Sequence, residues 1–265
     1  VPIDAKIEAD KLRKLYAEDP RQKSLNVLLL GESGSGKSFL ASTCPRPVHI
    51  DSFDPGGTKG LRKWIDKGDI IPDIKYEKED PLSPSAYSTW KTEFKYRTDN
   101  GYFNQMGTYI LDSATTWSET IMNAQLMSKN SAGESPKWNR DYEPQKQEIR
   151  NWLRRAINLP CTFILTGHLE AKKVIEGEAE SLEYRFLTTG KASIVIPLLF
   201  DEIWVMLPKE IANGVEYRIL TKSTGKHLAR SRLAEEGKLS QFEKPDVKAL
   251  LKKVGFNFTD NPIPK

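Results

Sequence analysis

Apolar residues come in short unbroken runs separated by turn residues. SLNVLLL at 24–30 is followed by PVHIDS at 47–52, GTYILDS at 107–113 and CTFILTG at 161–167. Runs of this length predict strands buried on both faces, as in parallel sheets. Stretches with helical spacing lie between them at 85–96, 116–129 and 145–158, and another helix is expected from Lys37 to about Ser42. Strand and helix therefore alternate, which predicts a parallel α/β sheet. The pattern changes after His168. Residues 171–190 alternate about a central glycine and predict a β-hairpin or a loop. DEIWVML at 201–207 and VEYRILT at 215–221 flank Asn213-Gly214, a strong hairpin signal.

The ends read differently. Residues 3–18 predict an amphipathic helix with Ile3, Ile7, Leu12 and Leu15 near one face, or a partly ordered arm. A short helix is expected near 246–254. The chain is therefore divided into an arm at 1–23, a core at 24–233 and a tail at 234–265. The fold class expected is α/β, with a mostly parallel central sheet, helices on both faces and antiparallel hairpin strands at the C-terminal side.

Composition narrows the functional classes. The chain has 265 residues, 38% of them hydrophobic and 29% charged, which suits a globular protein with a real core. No apolar run reaches the roughly 18–20 residues of a membrane span, so no membrane partner is expected. The N-terminal stretch is too charged for a signal peptide. Two cysteines, Cys44 and Cys161, are too few for a disulfide framework. A cytoplasmic location is the expectation. Forty Lys and Arg against 36 Asp and Glu give +4, which permits nucleic acid as a partner without requiring it.

The strongest chemical signal is Gly31-Glu32-Ser33-Gly34-Ser35-Gly36-Lys37-Ser38, a full match to G-x-x-x-x-G-K-[ST] between a strand and a helix. Its glycines let backbone N–H groups face phosphate oxygens. Lys37 is expected to reach the β- and γ-phosphates and Ser38 to ligate Mg²⁺, with Phe39 bordering the loop. Thr108–Asp112 leads apolar residues into a carboxylate at a strand end, where open α/β sheets bind ligands. Asp112 is thus the second candidate for the metal.

In motif order the chain resembles RecA-type ATPases. More closely, it looks like phage-encoded RecA-fold nucleotide-binding proteins related to single-strand-annealing ATPases, from about Leu25 to Leu233. The resemblance implies a RecA-like P-loop NTPase core using ATP and Mg²⁺. It implies an acid that activates the attacking water after the second strand. Asp54, before Pro55-Gly56-Gly57, is the counterpart, with Asp51 as competitor; the family's residue there is a glutamate, one methylene longer. His168 stands where the family senses the γ-phosphate. Ala229-Arg230-Ser231-Arg232 is similar to the A-K-x-R pair that reaches a neighbouring subunit's γ-phosphate.

Two stretches match the family's single-stranded DNA loops. One holds Lys172 and Lys173; the other holds Lys137, Trp138 and Arg140, where cations alternate with aromatics. The implied partners are single-stranded DNA, further copies of the chain in a filament or ring, and a single-strand-binding protein; the implied setting is the cytoplasm of a bacterial host. The function expected is DNA-stimulated ATP hydrolysis in phage-type recombination, annealing or replication. A ring-forming helicase, loader or packaging motor is the alternative. A P-loop kinase or a non-hydrolysing nucleotide-binding module is the second.

Overall fold

A computed structural model describes residues 3–19, 22, 24–176, 179–188, 192–232, 237–261 and 263. The expected boundaries at 23 and at 233–234 lie outside the described residues.

Helix α1 (Ala5–Glu18) starts at Asp4, whose carboxylate accepts from the N–H groups of Lys6 and Ile7. None of its residues is buried, and Ile3, Ile7, Leu12 and Leu15 are exposed. Strand β1 (Asn26–Gly31) then enters the core. It is followed by β2 (Val48–Ser52), α2 (Arg62–Asp66), β3 (Ile70–Asp73), α3 (Ala86–Asp99), β4 (Thr108–Asp112), α4 (Ala114–Ser128), α5 (Glu143–Ala156), β5 (Thr162–Glu176), β6 (Ala179–Phe186), α6 (Ala192–Val195), β7 (Glu202–Ile211), β8 (Gly214–Leu220), β9 (Arg230–Ser231), β10 (Phe242–Glu243) and α7 (Val247–Lys253).

The strand order is β10-β8-β7-β1-β5-β4-β2-β3, with β6 beside the distal part of β5 and β9 beside β7. β1 runs parallel to both β5 and β7, and β2 runs parallel to β3 and β4. The fold is α/β, as expected. Every residue of β2 and of β4 is buried, polar ones included, because both sheet faces are covered. Leu28 and Leu30 face a core with Trp90, Trp117, Trp152 and Phe163 from the α3, α4 and α5 side. Val27 and Leu29 face the other core, closed by Leu40, Leu61, Val247, Leu250 and Leu251. Among the described residues, no helix is long and apolar enough to cross a membrane.

One element differs from its expected form, and two take an expected form with an addition. The helix after the phosphate loop is a 3₁₀ helix, Ser38–Thr43. Cys44-Pro45-Arg46-Pro47 follows it, and prolines deny a helix the N–H groups that continuation needs. The described residues of the 171–190 stretch take the hairpin form: β5 continues past Gly167 to Glu176 and pairs antiparallel with β6, so His168 is inside a strand. β7 has two roles, joining β1 in the parallel core and opening the hairpin with β8.

Beneath β2 a buried polar cluster fixes the sheet edge. The Arg97 guanidinium donates to Asp51 at 3.1 Å, Asp73 at 2.5 Å and Glu93 at 2.8 Å. Burial pushes the Asp73 carboxyl up, but the bond and charge of Arg97 outweigh it and hold it below its ordinary value. Removing one member of a buried ion network strands the others without a partner. Arg97→Ala should therefore lower stability by about 3–5 kcal/mol. The check is a chemical denaturation midpoint; a midpoint at the wild-type value would contradict this account of the cluster.

Candidate active site

Sheet register brings the functional ends together. Gly31 stands opposite His168 on β5, and Ser52 opposite Asp112 on β4. The C-terminal ends of β1, β2 and β4 therefore share one edge, with Thr166 and His168 beside them on β5.

The phosphate loop leaves β1 at Gly31. A Cβ there would collide with the Ser35 hydroxyl and stand 3.1 Å from the Met206 carbonyl. Gly34 and Gly36 take left-handed backbone, at φ 77° and 90°, and Lys37 after them is right-handed. Alternation of this kind makes anion-binding concavities of N–H groups. Glu32, Ser33 and Gly34 are exposed, whereas Ser35 is buried. Tyr217 of β8 walls the loop, its ring 3.3 Å from where a Gly36 Cβ would stand. The Lys37 ammonium donates to the carbonyls of Gly31 at 2.9 Å and Glu32 at 2.8 Å. Burial lowers its pKa, against the opposing pull of Asp112, Asp54 and Glu32. Phe39 points away from the loop and lies edge-on to Trp64 at 5.2 Å.

Asp112 is buried, and its two oxygens have different partners. Oδ2 accepts from Ser38 Oγ at 3.0 Å, and Oδ1 accepts from Thr166 Oγ1. Burial raises its pKa and nearby Asp54 adds to this, while Thr166, Ser38 and Lys37 oppose it. Two carboxylates this close to a hydroxyl make an oxygen-rich, negatively charged setting that fits a hard divalent cation. Among the described residues, no group of three or more His, Cys, Asp or Glu side chains converges to hold a metal alone. Mg²⁺ ordinarily takes one or two protein oxygens and completes its shell with phosphates and water, which Ser38 and Asp112 match.

Asp54 sits on the turn after β2. The N–H of Phe53 donates to the Asp112 carbonyl at 2.6 Å, and the N–H of Gly57 donates to the Asp54 carbonyl at 2.9 Å. Its carboxylate accepts from Ser113 Oγ at 2.9 Å and from Thr116 Oγ1, both on Oδ1. Oδ2 accepts from His168 Nε2 at 3.4 Å. Burial pushes this carboxyl up, but the bonds from His168, Thr116 and Ser113 together bring it below its ordinary value. A carboxylate has about four acceptor positions, so one remains on Oδ2.

Asp51 does not share the site. Its Oδ1 accepts from His49 at 2.9 Å and Arg97 at 3.1 Å, and its Oδ2 accepts from Trp90 at 2.9 Å and Tyr109 at 2.8 Å. Successive strand residues face opposite ways. Asp51 thus anchors the buried cluster, whereas Asp54 lies beside Asp112 and His168.

Four partners were not singled out from sequence. Thr166 shares a strand face with His168, two residues on, so alternation gave a signal for it. Ser113 and Thr116 lie a helical turn apart at the start of α4. Glu77 gave no local signal. Its carboxylate accepts from Ser52 Oγ at 2.8 Å and from the Gly56 N–H at 2.9 Å, spanning the turn that carries Asp54. Glu77→Gln should lower kcat about tenfold with KM little changed, because small misplacements of a reacting group are costly. An equal change in both constants would contradict a positioning role.

The arginine pair is engaged within its own chain. Arg230 donates to the carbonyls of Pro197 at 2.9 Å and Phe200 at 3.0 Å, and Arg232 donates to that of Leu198 at 3.0 Å. The sequence-predicted DNA residues are placed as follows. Lys137 is exposed; Trp138 is 62% exposed beneath the Lys146 ammonium. Arg140 is bonded to buried Asp141. Lys172 and Lys173 are exposed on β5, opposite Glu183 and Leu182.

Comparison with known proteins gives one family match. Residues 23–233 match the family model described as an AAA domain. No curated protein matches the chain. Among solved structures it is similar to a KaiC-like protein from the hyperthermophilic archaeon Pyrococcus horikoshii OT3, with 13% identity and a TM-score of 0.41, covering 76% of this chain and 80% of that one. It is also similar to an ATPase from the type III secretion system of pathogenic bacteria, with 15% identity and a TM-score of 0.46, covering 79% of this chain and 58% of that one.

Proposed function

The chain belongs to the AAA domain family, and on that premise we propose that it hydrolyses ATP in response to single-stranded DNA. The observation that supports hydrolysis is the convergence of Lys37, Ser38, Asp112 and Asp54 on one sheet edge. The loop N–H groups and Lys37 bind the β- and γ-phosphates. Ser38 and Asp112 would hold Mg²⁺, which would neutralise phosphate charge. Asp54 offers its remaining Oδ2 position to a water and aligns it on the γ-phosphorus. Asp54 Oδ2 accepts a proton from the water as a P–O bond forms to the water oxygen, the bond to the leaving ADP oxygen breaks, inorganic phosphate departs, and the proton passes from Asp54 to solvent. His168 ties this acid to the β5–β6 hairpin, so the state of the phosphate is felt there.

The DNA part rests on the motif order after Asp112. Steady-state turnover with and without single-stranded DNA tests it: stimulation is expected. DNA-independent turnover together with no salt-sensitive DNA binding would overturn it. Tight ATP binding without turnover under any condition would favour a nucleotide-binding module instead.

Assembly completes the reading. Arg232 is exposed and makes a single described side-chain bond, so it is free to exchange the Leu198 carbonyl for a neighbour's phosphate. Arg232→Ala mixed with Lys37→Ala should then recover part of the activity, because some sites receive both intact groups. No recovery at any mixing ratio would argue against shared sites.

A further inference from the structure

In and beside the stretches expected to meet DNA, several cations stand next to the chain's own acids. Lys129 and Arg140 both contact Asp141, at 2.8 and 2.9 Å. Lys146 pairs with Glu143 at 2.6 Å and Arg185 with Glu183 at 2.7 Å, and Lys172 stands opposite Glu183 on the hairpin. A cation already held by a carboxylate gains less from a phosphate than a free one does.

A different surface has the opposite character. Residues 59–67, KGLRKWIDK, form a short 3₁₀ turn and α2. Lys59, Arg62, Lys63 and Lys67 are all exposed, and none of them makes an ion pair among the described residues. Asp66 is the one acid in the stretch. Beside these cations lies an aromatic ledge: Phe39, 56% exposed, meets Trp64 edge-on, and the Lys63 ammonium lies 5.8 Å from the Trp64 ring.

We propose that Lys59, Arg62, Lys63 and Lys67, with the Phe39–Trp64 ledge, form the surface on which this chain seats single-stranded DNA. The inference rests on the DNA reading given above and assigns it a site. Free cations supply the salt-dependent grip on a phosphodiester backbone. An exposed ring supplies a stacking platform for a base. An acidic peptide would satisfy the cations and leave the ring unused.

The position explains how DNA would reach the chemistry. Phe39 is the neighbour of Ser38 in sequence. Lys59 packs its side chain against Gly56, and its N–H donates to the Gly56 carbonyl at 3.2 Å. Gly56 is also the residue held by Glu77 on the turn that carries Asp54. A strand on this surface therefore touches both the phosphate loop's helix and the turn of the water-aligning acid.

The test compares two charge reversals in the full chain, Arg62→Glu/Lys63→Glu/Lys67→Glu and Lys172→Glu/Lys173→Glu. The readout is anisotropy of labelled oligo-dT across a salt series, with native mass and DNA-free turnover measured on the same samples. The triple variant should bind at least about tenfold more weakly, with a salt slope smaller by about 2, since each single-strand phosphate contact contributes about 0.7. It should keep wild-type turnover without DNA, which shows that it folds, and lose stimulation by DNA. The hairpin variant should bind nearly as wild type does. Wild-type affinity in the triple variant overturns the surface, and so does a change in native mass with DNA affinity intact, which would make it a protein interface. Failure of the wild-type chain to bind oligo-dT at low salt overturns the DNA reading itself, and this surface with it.

Discussion

Asp54→Asn is expected to cut ATP turnover about 10²–10⁴-fold, the usual contribution of a positioned acid–base group, while nucleotide affinity stays near wild type. The amide oxygen can still accept from Ser113 and Thr116, so the turn keeps its shape. The other end changes character. An NH₂ group would then face His168 Nε2, and the one open acceptor position for water is gone. The measurement is phosphate release alongside fluorescent-nucleotide affinity. Turnover at the wild-type rate would remove Asp54 from the mechanism. The pH dependence follows from the same contacts. The folded Asp54 carboxyl lies below its ordinary value, so it is ionised at neutral pH. Its contribution to stability is complete above the unfolded carboxylate pKa and is lost as pH falls through the lower folded value. The acid limb of kcat that belongs to Asp54 should therefore lie below the ordinary carboxylate range.

Lys37→Ala should lower turnover about 10²–10³-fold, the cost seen when a preorganised donor to developing charge is removed. Its effect differs in kind from that of Asp54→Asn. Lys37 bonds the carbonyls of Gly31 and Glu32 and lies close to Asp112 and Asp54. Without it, the buried Asp112 loses a nearby cation, and phosphate binding weakens as well as turnover. The pair of variants thus separates binding from chemistry. Lys37→Ala should weaken nucleotide binding and Asp54→Asn should not. Equal nucleotide affinity in the two would contradict the roles assigned.

Much of this site was legible in the sequence because its parts are local. The phosphate loop is a contiguous motif, and Asp112 ends an apolar run that could only be a buried strand. For the acid after the second strand, the sequence offered two candidates three residues apart. Choosing between Asp51 and Asp54 required knowing which way each side chain faced. Asp51 is claimed by His49, Arg97, Trp90 and Tyr109, and Arg97 and Trp90 come from a helix far along the chain. Glu77 was invisible for the same reason: its partners, Ser52 and Gly56, are close only after β3 is laid beside β2. The segment after Lys37 ends before Pro45 and Pro47, but its 3₁₀ form had no signal in the sequence. Charge was the least legible feature. Lys137, Trp138 and Arg140 read as a nucleic-acid pattern, but the sequence did not show that Arg140 bonds Asp141 or that the Lys146 ammonium lies 5.4 Å from the exposed Trp138 ring. The cluster at 59–67, four exposed cations without an ion pair among the described residues, was not singled out from the sequence.

The most direct test of the account is the fate of solvent oxygen. ATP turned over in ¹⁸O-water with Mg²⁺ and single-stranded DNA should yield inorganic phosphate carrying solvent ¹⁸O, detected by mass spectrometry. That result requires water to attack the γ-phosphorus, as the Asp54 geometry predicts. ATP consumption without labelled inorganic phosphate, with the phosphoryl group found instead on another acceptor, would contradict it.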